Sequence, residues 1–146
     1  MPVTGREISR RAFALVCAAA VARGADPAQD AWDVVTRLAA LLAAANATEF
    51  LDACDSGMPG YSDLRVNVSA LVAQAEVESG IDPVRNEGDA AARDIEVDWS
   101  LRLVGRAGLD RVTSRRASVR LRLVKKGRSW KVTALDPVAF FAPPSA

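Results

Sequence analysis

Histidine is absent from all 146 residues. That excludes serine–histidine and cysteine–histidine nucleophilic schemes. Cys17 and Cys54 are the two thiols, and with no imidazole they make a poor transition-metal set. No glycine-rich phosphate loop is present. The chemistry left is carboxylate acid–base work in an apolar pocket, where an Asp or Glu base acts beside a hydroxyl or protonated acid that holds an oxyanion. Tyr61 is the one tyrosine, and Asp98 is the most attractive carboxylate. Alternation with Trp99 turns Asp98 away from the apolar row, where it reads as a surface ion-pair member. Tyr61 reads as plain core or rim, with the oxyanion hydroxyl as its other reading. No catalytic residue is assigned, and no cofactor or metal is expected. Trp32, Trp99 and Trp130 have two readings, core or the lining of a ligand pocket. Arg111, Arg115, Arg116, Arg120, Arg122, Lys125, Lys126, Arg128 and Lys131 form a basic strip. No aromatic residues interleave it, as stacking on single-stranded nucleic acid would want. It is expected to be a solvated sheet face paired with Glu96 and Asp98, with no nucleic acid partner.

The beginning of the chain reads as an address rather than as fold. Arg6, Arg10 and Arg11 precede an uncharged stretch from Ala12 to Ala22. That stretch is too short for a permanent membrane anchor but suits the apolar region of a signal peptide. Ala20-Val21-Ala22 supplies a small-x-small cleavage pattern, which places the mature start at Arg23. Ser9-Arg10-Arg11-Ala12-Phe13 resembles the twin-arginine export motif S-R-R-x-F-L-K; Ala14 and Leu15 depart from it. Residues 1–22 are thus expected to be a signal, and 23–146 one exported domain, periplasmic or secreted. Cleavage removes Arg6, Arg10 and Arg11 from the 19 basic residues and Glu7 from the 18 acidic ones, turning the net charge from +1 to −1. It also leaves Cys54 alone, without a disulfide partner, as a buried small hydrophobe in a helix.

With half its residues apolar and a quarter charged, the chain has ordinary globular composition. Asp26-Pro27 starts a helix on which Ala31, Val34, Val35, Leu38, Leu41, Leu42 and Ala45 recur at helical spacing, with Asp33 and Arg37 paired on the other side. Asn46 to Glu49 reads as a capping box for a short helix carrying Phe50, Leu51 and Cys54. A third helix follows with Tyr61, Leu64, Val68, Leu71, Val72 and Ala75. The period then changes to two. A strand is expected from Val77 to Asn86. A second alternates Ile95, Val97, Trp99, Leu101 and Leu103 with polar residues, and a third alternates Ala117, Val119, Leu121 and Leu123 with Arg116, Ser118, Arg120 and Arg122. With Lys126-Gly127 as the turn, Leu123 would face Trp130, Leu121 would face Val132, and Val119 would face Ala134. Arg122 would then lie near Lys131. Phe140 and Phe141 are expected to tuck against the sheet edge.

Two stretches carry a family resemblance. Trp32-Asp33-Val34-Val35 through Ala44, Asn46, Ala47, Phe50 and Leu51 resembles the opening helix pair of the NTF2-like superfamily, which includes SnoaL-like domains and ketosteroid isomerases. Gly127-Arg128-Ser129-Trp130-Lys131-Val132 resembles its G-x-x-W-[KR]-[IV] ending. The resemblance implies an α+β fold: three N-terminal helices packed on a curved antiparallel sheet of about four strands, forming a cone with a pocket. It also implies where function would lie. Trp32, Phe50, Tyr61, Trp99 and Trp130 are then the pocket candidates. The expected role is binding of a small apolar ligand or a protein partner, including a second copy through the sheet. A carboxylate enzyme of isomerase or cyclase type is the alternative.

Overall fold

The computed structural model describes residues 26–106 and 111–144; the export motif and cleavage site lie outside them. Helix α1 spans Pro27–Ala43, α2 Ala47–Asp52 and α3 Tyr61–Gln74. Strands β1 (Ala75–Gly88), β2 (Ala92–Gly105), β3 (Val112–Lys126) and β4 (Ser129–Asp136) follow, then a short 3-10 turn at Val138–Phe141. The four strands form one antiparallel sheet in sequence order, and the expected α+β arrangement of three helices on a curved, unclosed sheet is present.

Local chemistry explains the helix starts. The Asp26 carboxylate accepts from the Ala28 and Gln29 main-chain N–H groups, with Pro27 in the first turn. Asn46 Oδ1 accepts from Glu49 N–H at 3.0 Å, while Asn46 Nδ2 donates to Glu49 Oε2 at 2.9 Å. The expected Asp33–Arg37 pair does not form. Asp33 accepts instead from Gln29 Nε2 at 2.8 Å, and Arg37 reaches Glu49 across the α1–α2 corner at 3.6 Å.

The inner face of the sheet and the helices share one core. Ile95, Val97, Trp99, Leu101 and Leu103 of β2 and Val119, Leu121 and Leu123 of β3 are all buried, as a strand period of two requires. They meet Val35, Leu38 and Leu42 of α1, Phe50 of α2, and Leu64, Val68 and Leu71 of α3.

The last hairpin corrects the expected register. Its turn is Gly127-Arg128, so Lys126 pairs with Ser129, Lys125 with Trp130 and Leu123 with Val132. Gly127 has φ +65° and takes the first central position, where two-residue hairpin loops favour glycine. A bulge follows, since Arg122 pairs with Ala134 and Leu121 with Leu135. Without that extra residue, Leu121 would face Ala134 and Leu135 would point outward; the bulge exchanges them. The feared approach of Arg122 and Lys131 does not arise. Arg122 bonds Asp94 at 2.9 Å, and Lys131 donates to the Asp52 carbonyl.

Cys54 also differs from expectation. It lies just past α2, where the chain runs parallel beside β4: Val132 N–H donates to Ala53 O at 2.9 Å and Asp55 N–H to Val132 O at 2.8 Å. It is buried, as expected.

One buried polar joint ties the β1–β2 hairpin to α1. Arg93, a buried charged residue on the inner row of β2, donates through Nε to Asn86 Oδ1 at 2.7 Å and through its terminal nitrogens to the carbonyls of Asn86 and Asp89. Asn86 Nδ2 then donates to Ala28 O at 2.9 Å. Replacing Asn86 with Ala strands the Arg93 Nε–H and cuts the tie to α1. We expect a loss of about 1–3 kcal/mol in urea unfolding with an unchanged m-value; a loss below about 0.5 kcal/mol would show that water replaces the joint.

Candidate functional site

The structure separates the five pocket candidates. Trp99 and Phe50 are wholly buried and Trp130 nearly so, whereas Trp32 and Tyr61 are half-buried. Phe50 and Trp99 meet through residues that sequence reasoning left at the edge. Phe141 stands edge-on to Trp99 with centroids 5.1 Å apart and lies 5.8 Å from Phe50, while Phe140 lies 5.2 Å from Phe141 and 6.5 Å from Trp99. The Trp99 indole N–H donates to Ser79 Oγ at 2.8 Å. This part of the cone is filled by the chain's own rings. Trp99 and Trp130 share the inner face, as expected, but Trp130 Nε1 is buried with no partner among the described residues.

Tyr61 sits elsewhere, in a cleft of about 300 Å³ that it lines with Cys54, Asp55, Ser56, Lys126 and Lys131. Lys126 Nζ bonds Asp55 at 2.6 Å. That hydrogen bond, with a second from the Gly57 N–H, holds the Asp55 carboxyl below its ordinary range.

Asp98 faces outward. Arg116 Nε donates to both its oxygens at 3.0 Å, and the guanidinium lowers its pKa. Glu96 is lowered in the same way by Arg85 and Ser118, each at 2.8 Å. Asp89 is lowered by the Ala91 and Ala92 N–H groups. A general base in an apolar pocket needs the opposite shift, up through desolvation. Among the described residues the buried polar side chain is Arg93, not a carboxylate. No group of three or more His, Cys, Asp or Glu among them could hold a metal ion.

The outer face of the sheet carries the charge. β2 presents Asp94, Glu96 and Asp98, directly beside Arg122, Arg120 and Ser118 of β3, while β1 adds Glu76, Glu78, Asp82 and Glu87, with Arg85 of β1 and Arg102 of β2 set among these acids. Two shallow depressions interrupt this face. One of about 500 Å³ lies where Gly80, Ser100 and Ser114 are small, between Arg102 and Arg116. The other, about 520 Å³, lies among Arg85, Glu96, Arg120, Arg122 and Asp136. The basic strip is therefore largely the expected paired face, with one correction: Arg115 turns inward, opposite Leu101, and donates to the carbonyls of Phe140, at 2.9 Å, and Ala142. Its parity with Ala117 and Val119 was the available signal.

Burial pushes the Cys54 thiol from its ordinary 9.0 up to about 12. Between those values the unfolded chain releases the proton while the folded chain keeps it, so the contribution is present below pH 9 and is lost as pH rises toward 12. Native Cys54 is expected to resist a disulfide reagent at pH 8. The stability advantage of the wild type over Cys54→Ala should shrink from pH 9 to 10.5; an advantage that stays constant would overturn the assignment.

Neither a protein-family model nor a curated protein matches the sequence. Solved structures do. A candidate aromatic ring hydroxylase from Novosphingobium aromaticivorans is similar at TM-score 0.65 and 11% identity, over 75% of this chain and 85% of that one. An NTF2-like protein with a cystatin-like fold from the same species is similar at TM-score 0.59 and 13% identity, over 83% and 86%. The beta subunit of the benzoate 1,2-dioxygenase from Burkholderia mallei is similar at TM-score 0.58 and 18% identity, over 73% and 86%. At such identities the likeness is one of architecture, and the architecture of this chain is the NTF2-like cone.

Proposed function

We propose that this chain is an exported, non-catalytic NTF2-like domain that docks a protein partner on the outer face of its sheet, and that the partner is a second copy. The observation that supports this is the unequal charge of that face, mainly acidic along β1 and β2, where Arg85 and Arg102 are the exceptions, and basic along β3. A two-fold axis parallel to the strands, above the β2–β3 boundary, lays the acidic row of each copy over the basic row of the other. Such a surface is self-complementary in the way an isologous dimer requires. The enzyme alternative would need a carboxylate directed into the cone with a raised pKa, whereas Glu96 and Asp98 lie outward and are lowered.

Export rests on Arg10-Arg11-Ala12-Phe13 and Ala20-Val21-Ala22. No helix among the described residues is long and apolar enough to cross a membrane. If residues 1–22 are a twin-arginine signal, replacing Arg10 and Arg11 with Lys keeps the full-length chain in the cytoplasm, and the exported wild type begins at Arg23 by N-terminal sequencing. Unchanged export of the double variant would refute the twin-arginine reading.

Dimerisation is tested on the mature chain by sedimentation equilibrium. A dimer is expected at low salt, weakening as ionic strength rises. Arg120→Glu reverses the charge that lies between Glu96 and Asp136 across the strands and should raise the dissociation constant at least tenfold. A monomer at every concentration and salt level would sink the second-copy reading.

A further inference from the structure

The segment after β4 fills the cone with its own side chains. Pro137 to Pro144 leaves the sheet and places Phe141, fully buried, and Phe140, 7% exposed, among Trp99 and Phe50. Its main-chain bonds close on itself, Phe140 N–H to Pro137 O at 3.2 Å and Ala142 N–H to Ala139 O at 3.1 Å. Its departure would leave the sheet ladder whole. Polar side chains hold it from two sides. Asn67 of α3 donates to Val138 O at 3.3 Å. Arg115 of β3 donates to the carbonyls of Phe140 and Ala142.

Arg115 is the unusual member. Every other arginine bonded on β2 and β3, Arg93 apart, meets a carboxylate: Arg102 meets Glu78, Arg116 meets Asp98 and Arg122 meets Asp94. Arg115 is on the inner row, half-buried, and what it holds is two neutral carbonyl oxygens. Desolvation with no compensating anion lowers its pKa. A guanidinium presents a planar fork of donors suited to two oxygens of one carboxylate, and a charged acceptor binds it more strongly than neutral ones. The segment thus occupies two adjoining subsites, an aromatic one lined by Trp99 and Phe50 and a cationic one at Arg115.

We propose that residues 137–144 are a releasable plug, and that the ligand displacing it is an apolar carboxylic acid whose ring replaces Phe141 and whose carboxylate replaces the two carbonyls on Arg115. The plug competes with the acid, so the intact chain binds weakly. Its apparent affinity is reduced by the small fraction of open molecules. This site is separate from the outer sheet face, and its fate does not depend on dimerisation.

The test uses 2-naphthoic acid and its uncharged counterpart 2-naphthamide. With the wild-type mature chain, saturating acid should raise amide hydrogen exchange of Val138 to Ala142 at least tenfold while exchange in β2 stays unchanged. Phe141→Ala, which weakens the plug, should bind the acid at least tenfold tighter than wild type by calorimetry. It should also prefer acid over amide at least tenfold, a preference that Arg115→Gln in the same background removes. The amide comparison matters because a vacated ring cavity alone would take either compound. Phe141→Leu keeps most of the packing if Phe141→Ala fails to fold, and should show the same preference. Equal binding of acid and amide, or acid binding that leaves exchange of residues 138–142 unchanged, overturns the proposal.

Discussion

Trp99 is the side chain on which the layers converge. It stands in the middle of β2, the strand that pairs along nearly its whole length with both β1 and β3. Its ring is covered completely, by Phe140 and Phe141 from the segment after β4, and Phe141 in turn carries the contact to Phe50 on α2. Aromatic pairs in such edge-to-face or tilted arrangements add about 0.5–1.5 kcal/mol each beyond the area they bury. The indole N–H would be costly to bury alone, and Ser79 on the neighbouring strand accepts it at 2.8 Å. Sheet, helices and closing segment therefore share one aromatic joint, and the curvature of the sheet is filled rather than empty.

Much of this was legible, and the limits have physical causes. Alternation along Ile95 to Leu103 told inner from outer faces, and so sent Asp98 to the surface. Asp26-Pro27 and the Asn46–Glu49 reciprocity located two helix starts, because caps are local chemistry. The register of the last hairpin was not local. It depends on the bulge beside Arg122, which exists because Leu135 rather than Ala134 fills the inner face, a comparison of volumes that only the packed core makes. Arg115 escaped for a related reason. Its parity marked it as inward, yet an arginine among eight other cations reads as surface until the carbonyls it binds are known. The pocket candidates followed from aromatic content, which does not distinguish a ring that lines a cavity from one that fills it.

The charges on the outer face add little to stability. The Arg122–Asp94 and Arg102–Glu78 pairs are half exposed or more, and exposed pairs of this kind contribute about 0–1 kcal/mol each. Their arrangement carries more information than their number. Acidic residues predominate on β1 and β2 and basic ones on β3, with Arg85 and Arg102 set among the acids, so the face carries a partial direction. Opposed fields of that sort select orientation and speed encounter.

The run of chain from Ala53 to Asp55 beside β4 has a consequence for how far assembly can go. A sheet of four strands has two flanks with unpaired main-chain groups, and such flanks recruit further strands, in the limit without end. On the β4 side that flank is occupied by the chain itself at Val132. On the β1 side it is interrupted by Pro83 and the adjoining register shift, which remove a donor and bend the strand away. Strand addition is thus hindered at Val132 on one flank and at Pro83 on the other.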